Sequence, residues 1–405
     1  MVERPLELAD ILRRYLEKYR RSGRHLISQQ ERVVRSIVSC RTAELGGHRL
    51  VCDRCGSVRE SYNSCGDRHC PKCQNLAKHR WLASRRAELL PVPYFHVVFT
   101  VPSGLNPVFL RAPRRLYSLL FQAVGETLVE VARDPRHLGA RIGFLAVLHT
   151  WGQQLQLHPH VHCIVPGGGL SSEGDRWITA REDYLLPVKV LSKVFRGKLL
   201  SAIETAARRG ERLFPDDLDP EAAPSCHRGW LAGLRSQPWV VYSKPPFGGA
   251  EKGLDYLARY SHRVAISNER LIRLENDRVV FRWKDYRAGG AEKVTSLDAL
   301  ELVRRFLQHV LPRGFQRIRY YGILANRHRR KNLERCRQLL GVAAPATPEA
   351  SHQAEESWEE RVFRLTGLDP RLCPECGEGR LMKVESLAPE VPWRRCRAPP
   401  ILEVA

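Results

Sequence analysis

Residues 148–165 read LHTWGQQLQLHPHVHCIV, and the fold turns on how this stretch is read. Its second half alternates. His158, His160 and His162 stand two apart, and successive side chains on a strand leave opposite faces, so these three leave the same one. Val161, between the last two, points into the sheet, which makes histidine–hydrophobe–histidine a two-ligand device with a buried anchor. His149 stands eleven residues before His160, at the end of the apolar run GFLAVL. A hairpin through TWGQQLQ puts it on the neighbouring strand, able to close a three-histidine metal site. His158 competes with His149 for the third place, and spacing does not separate them. Three neutral ligands leave coordination positions open, as catalysis requires. A bare His-x-His pair can equally be two surface histidines; the apolar strand bearing His149 and the edge VPGGGL just beyond favour the metal.

Working outward, apolar runs (YFHVVFTV, IGFLAVLHT, HVHCIV, WVVYS, RVVFRW) interleave with helical segments between about 91 and 340. Periodicity alone predicts an α/β or α+β core domain there. Composition separates it from a cysteine-rich region at 1–90 with basic flanking helices. A third region, 341–405, opens as an Ala/Pro/Ser/Glu linker and ends in a small cysteine-bearing tail. The chain of 405 residues is 43% hydrophobic and 27% charged, ordinary for a globular protein with a real core. Its charge is not ordinary: 66 Lys and Arg against 44 Asp and Glu give +22. Such a surplus points to a polyanion, nucleic acid first. No apolar run is long enough to span a membrane. The start, MVERPLELADILRRYLEKYR, has no signal-peptide apolar core, so the expected location is the cytoplasm. Twelve cysteines there are metal ligands or core residues rather than disulfides.

In the first region Cys52-x-x-Cys55 and Cys70-x-x-Cys73 are fourteen residues apart. Two such knuckles fit a zinc ribbon, each turn pointing two thiolates at one tetrahedral ion. Cys40, His48, Cys65 and His69 remain, enough for a second, interleaved zinc site. The ion would contribute folding energy rather than chemistry. In the tail Cys373 and Cys376 form one more knuckle, and with only Cys396 beyond it a third site stays open.

After the breaker SKPPFGG comes AEKGLDYLARYSHRVAIS. Tyr256 and Tyr260, four apart, share one helix face with Arg259 and Arg263, while Leu254, Leu257 and Ala258 lie opposite. An aromatic pair at this spacing usually packs in a core; sharing the cationic face argues instead for chemistry. A phenol with pKa near 10 can attack a phosphate that a metal polarises and arginines stabilise. The pieces predict metal-dependent cleavage of single-stranded DNA, leaving a 5′-phosphotyrosine and a free 3′-hydroxyl. The linkage conserves bond energy, so no nucleotide cofactor is needed, consistent with the lack of a GxxxxGK[ST] loop. RWKDYRAGGAEK and RIRYYGILANRHRRKNLERCR interleave aromatics with cations, which marks Arg282, Lys284, Arg327, Arg329 and Arg330 as candidate DNA contacts.

YNSCGDRHCPKCQ, HPHVHCIVPGGG, YLARYSHRVAISN and YYGILANRHR occur in that order. Together they resemble the two-tyrosine rolling-circle transposases of HUH (histidine–hydrophobe–histidine) type, the insertion sequence ninety-one group, over residues 20–340. The resemblance implies an α+β fold with a palm-like antiparallel nuclease sheet behind a zinc-binding domain. It also implies cleavage and rejoining of single-stranded DNA at element ends. His160 and His162 correspond to the HUH pair, and Tyr256 and Tyr260 to the nucleophiles. The spacing of His149 is similar to that in plasmid relaxases, whereas tyrosines C-terminal to the histidines are like those of replication initiators. The implied catalytic ion is Mg2+ or Mn2+, although histidine-only ligation binds zinc, nickel or copper more tightly. Three other readings share some of these features. A replication initiator or relaxase would use the same chemistry, a small-substrate metallohydrolase would not need +22, and a zinc-ribbon DNA-binding regulator would leave the histidines idle.

Overall fold

The apolar runs around the histidines pair into one antiparallel five-stranded sheet, in a computed structural model that describes residues 4–74, 81, 85, 88–247, 264–343 and 357–390. Its strands are β3 (Tyr94–Thr100), β4 (Gly143–Trp151), β5 (Leu157–Pro166), β8 (Val241–Phe247) and β12 (Ile318–Gly322), in the order β12-β4-β5-β3-β8. The hairpin through 152–156 forms as the eleven-residue spacing predicts. Both faces are covered. On one, Phe95, Val97, Phe99, Phe144, Ala146, Leu148, Val161 and Val165 join one core with two 21-residue helices, α4 (Pro113–Arg133) and α5 (Val188–Arg208). Each large side chain fully buried there is worth roughly 1.5–3 kcal/mol over exposure. On the other face Tyr94, Leu145, Val147 and Ile164 pack with Ile323, and with Leu333 and Cys336 of α8 (Arg329–Leu339). Burial on both sides explains why β4 reads as a continuous apolar run: eight of its nine residues are buried. Short α3 (Asn106–Arg111) and α6 (Pro224–Ser236) flank the helical layer.

A second core joins distant parts of the chain. α1 (Leu8–Arg21) buries Leu8, Ile11, Leu12, Tyr15 and Tyr19, the i, i+3, i+4, i+7 stripe of an amphipathic helix. With α2 (Ser28–Val38) it packs on the meander β9 (Leu271–Glu275), β10 (Arg278–Asp285), β11 (Ala291–Asp298) and on α7 (Ala299–Gln308). Asp298 caps α7, its carboxylate accepting from the backbone N–H groups of Leu300 and Glu301. Asn276 and Asp277 turn the β9–β10 hairpin, both at positive φ. Asp277 then accepts from Tyr15 Oη and Lys18 Nζ at 2.7 Å each. Packing thus crosses the composition boundary at 90.

A further three-stranded sheet, β13-β1-β2, is made of β1 (Gly47–Cys52), β2 (Val58–Tyr62) and the tail strand β13 (Leu381–Leu387), which follows α9 (Trp358–Thr366). β6 (Gly168–Leu170) and β7 (Trp177–Thr179) form a separate ribbon. The architecture is α+β with antiparallel sheets. Among the described residues no helix is long and apolar enough to cross a membrane.

Candidate functional site

His149 on β4 and His160 on β5 face each other directly across the ladder, and His162 stands one pleat along, opposite Val147. One ring nitrogen from each lies within 4.8 Å of the other two. Ring centroids of the pairs 149–162, 160–162 and 149–160 are 4.6, 4.8 and 5.4 Å apart. His149 and His162 are buried and His160 half-buried, so the cluster opens on the His160 side. His158 shares the face, its ring 5.1 Å from that of His160, but it is not one of the three that converge. Its carbonyl instead accepts a hydrogen bond from His160 Nδ1 at 2.7 Å. A carbonyl cannot donate, so the His160 proton sits on Nδ1 and the lone pair on Nε2.

His162 is oriented in a similar way. Its Nδ1 lies 2.8 Å from Nε2 of His96 on β3, with the two rings stacked at 5.1 Å and 8°. Burial, reinforced by the cation of Lys244 across the β3–β8 ladder, pushes the His96 pKa down to about 4. His96 is therefore neutral near pH 7 and able to accept, which turns the His162 Nε2 lone pair away from it. Trp151 stacks on His149 at 4.7 Å and 20°. Three imidazoles so arranged fit one divalent ion, with positions left for substrate oxygens. The donor set by itself favours zinc, nickel or copper.

Two family profiles and two relatives match the chain. Residues 11–101 match a family profile described as "Transposase zinc-binding domain", and residues 143–332 one described as "Putative transposase". A Sinorhizobium fredii protein named "Putative transposase y4qJ" is 52% identical over 379 residues, which are 94% of this chain and 95% of that one. The chain belongs to the IS91 family of transposases. A Pseudomonas savastanoi pv. phaseolicola relative, "Transposase for insertion sequence element IS801", is 29% identical over 360 residues, 85% of this chain and 81% of its own. No solved structure matches. The second profile spans His149, His160 and His162.

This transposase groups its cysteines differently from the spacing prediction. Cys70 and Cys73 do not share a site with Cys52 and Cys55; they converge with Cys40 and Cys65, four sulfurs within 4.8 Å of one another. Cys40 precedes the β1–β2 hairpin and Cys65 follows it, so both lie at its open end. Cys52 and Cys55 sit at its turn, one strand length away, roughly 17 Å at 3.3 Å per residue. Sulfurs of Cys40 and Cys65 are 3.5 and 3.6 Å from that of Cys73. That is too far for a disulfide and near the spacing of about 3.8 Å that 2.3 Å Zn–S bonds set in a tetrahedron. Hydrogen bonds from the thiols of Cys40, Cys65 and Cys70 hold Cys73 well below the usual thiol range. The zinc-binding domain thus has a Zn2+ cage of four sulfurs.

His48 and His69 stand in neither cysteine cluster. His48 lies within β1, between Ser61 and Ser386 of the adjoining strands. His69 Nε2 accepts from the Leu311 N–H at 3.2 Å and its Nδ1 bonds Asp67 at 2.9 Å, which occupies both ring nitrogens.

Tyr256, Arg259, Tyr260 and Arg263, like Cys396, lie outside the described residues. The candidate DNA contacts divide. Lys284, Arg327 and Arg330 are exposed. Arg282 is half exposed and meets Glu292 at 3.4 Å. Arg329 is mostly enclosed, 3.3 Å from Glu88 and 4.7 Å over the Tyr320 ring, which gives it a structural task. Sequence reasoning missed His96, Lys244 and Trp151. The signal for His96 was its place in YFHVVFTV, two strands from the motif in chain order but adjacent in the sheet.

Proposed function

We propose that this transposase cleaves and rejoins single-stranded DNA at element ends in rolling-circle fashion, through 5′-phosphotyrosine intermediates on a palm-like nuclease sheet. The observation that carries the reading is the convergence of His149, His160 and His162 on the sheet face away from α4 and α5. These three would hold Mg2+ or Mn2+, which polarises the scissile phosphate when bound. Tyr256 or Tyr260 attacks phosphorus; the bond to the 3′ oxygen breaks and the phenol proton ends on that oxygen. Arg259 and Arg263, sharing the helical face expected for the tyrosines, neutralise the charge gathering on the phosphate. Two nucleophiles allow one site to hold one strand while cutting the next. Arg282, Lys284, Arg327 and Arg330 are proposed to track the strand, in keeping with the +22 charge. The proposed domain order is zinc-binding DNA recognition (1–90), nuclease (91–340), then linker and tail (341–405).

The experiment is a denaturing gel of labelled single-stranded DNA carrying an element end, incubated with Mn2+ and wild type, Tyr256→Phe, Tyr260→Phe or His160→Ala. A covalent adduct requiring His160 and at least one tyrosine is expected. Absence of any adduct while duplex DNA still binds would leave the zinc-ribbon regulator as the better reading.

A further inference from the structure

Four cysteines from opposite ends of the chain meet at the tip of the β1–β2 hairpin. Cys52 and Cys55 come from its turn, Cys373 and Cys376 from the turn before β13, and all four sulfurs lie within 4.8 Å of one another. The distances Cys52–Cys376 and Cys55–Cys373 are both 3.8 Å. This is the edge of about 3.8 Å expected for a tetrahedron of 2.3 Å Zn–S bonds, and nearly twice a disulfide.

The two turns are built alike. CDRCG and CPECG each return the glycine amide to the carbonyl of the first cysteine, Gly56 to Cys52 at 3.1 Å and Gly377 to Cys373 at 2.9 Å. Both glycines hold positive φ, 70° and 68°, which only glycine adopts freely. Amide groups also face sulfur, Cys55 N–H toward Cys52 Sγ at 3.5 Å and Gly379 N–H toward Cys376 Sγ at 3.2 Å. Each is a metal knuckle, and the knuckles are locked together. Asp53 N–H donates to the Arg380 carbonyl at 3.0 Å, and the Asp53 carboxylate accepts from the Arg380 N–H at 2.7 Å. At Gly379 an added Cβ would lie 2.4 Å from Cys52 Sγ, so the approach has no slack.

We propose that Cys52, Cys55, Cys373 and Cys376 bind a second zinc ion, separate from that of the Cys40 cluster, and that this ion clasps the C-terminal strand β13 onto the N-terminal hairpin. Four thiols release their protons to solvent as four sulfur–zinc bonds form. A two-stranded hairpin is marginal alone; β13 makes it a three-stranded sheet, and the ion closes a loop of more than 300 residues to hold it there. The zinc-binding profile ends at residue 101 and contains only half of these ligands. The two sets differ at one ligand, Cys55 being exposed where the Cys40 cluster has no exposed member, so the clasp ion is the more accessible of the two.

The test is the zinc content of the full chain by elemental mass spectrometry. In His160→Ala/His162→Ala protein, whose histidine site no longer competes for zinc, two ions per chain are expected, and one when Cys373→Ser/Cys376→Ser is added. Chelator release followed with a zinc dye should show two phases of equal amplitude, the faster one missing from that variant. A protease site introduced between residues 343 and 357 supplies a second readout. After cleavage the C-terminal fragment should co-elute with the remainder in zinc and separate in chelator. One ion in the histidine variant, two once the cysteine pair is replaced as well, or a fragment that separates regardless of zinc would each overturn the clasp.

Discussion

A histidine that ligates a metal needs its second nitrogen held, and each of the two ligands proposed on β5 has a different holder. His160 uses the carbonyl of His158, two residues away on the same strand, so its orientation comes with the strand itself. His162 uses His96, which the chain reaches only through sheet pairing. The convergence of the three histidines was legible because alternation on one strand and an eleven-residue hairpin are local rules. His96 was not, because diagonal neighbours across a ladder depend on register. Spacing left His149 and His158 as equals; the β4–β5 register brings the ring of His149, not that of His158, against both others. Losing a group that orients a ligand typically costs 10–100-fold in metal affinity. His96→Ala should therefore weaken Mn2+ binding by about that factor, as read by titration calorimetry, while leaving bound zinc unchanged. His96→Gln, which keeps an acceptor, should recover part of it. Equal Mn2+ affinity in all three proteins would show that His96 only fills space.

At the scale of elements, turns decide which distant groups meet. The spacing of two CxxC knuckles describes each turn correctly but not its partner, since every knuckle offers the same two sulfurs. The hairpin length separated the pairs, and the tail supplied the missing half of one site. Glycine shows the same contrast between local and tertiary constraint. Gly314 and Gly322 both hold positive φ, 71° and 60°. An added Cβ at Gly314 meets open space, but at Gly322, the end of β12, it would lie 1.9 Å from the Ile142 carbonyl oxygen. Gly314→Ala should cost only the backbone strain, about 1–2 kcal/mol. Gly322→Ala must in addition push β12 off β4, and should cost at least twice as much in urea unfolding. Equal losses at the two positions would show that the β12 end yields freely.

Across the whole molecule, the zinc-binding region and the segment leading into β12 of the five-stranded sheet meet along a buried polar seam that composition could not disclose. Arg68 donates to the carbonyls of Phe315 and Pro312 at 2.5 and 3.1 Å, Arg317 to Gln74 at 3.3 Å, and His69 accepts from Leu311. His309, just beyond α7, completes it. Its Nε2 donates to the Leu155 carbonyl in the β4–β5 turn at 3.0 Å, and its Nδ1 accepts from the Thr150 hydroxyl at 3.1 Å. Burial pushes the His309 pKa down from 6.5 to about 4, and burial lowers His69 as well. The sign follows from which state binds the proton. Between pH 6.5 and 4 the unfolded chain protonates this histidine and the folded one does not, so stability is full above 6.5 and drains away as pH falls. At about 1.4 kcal/mol per pKa unit the loss from His309 is on the order of 3 kcal/mol by pH 4. Urea midpoints measured at pH 7.5, 5.5 and 4.5 should fall accordingly. His309→Gln keeps an amide donor but cannot titrate; it should start less stable at pH 7.5 and show a shallower decline. A decline as steep as wild type would move the acid sensitivity to other groups and leave His309 a purely steric part of the seam.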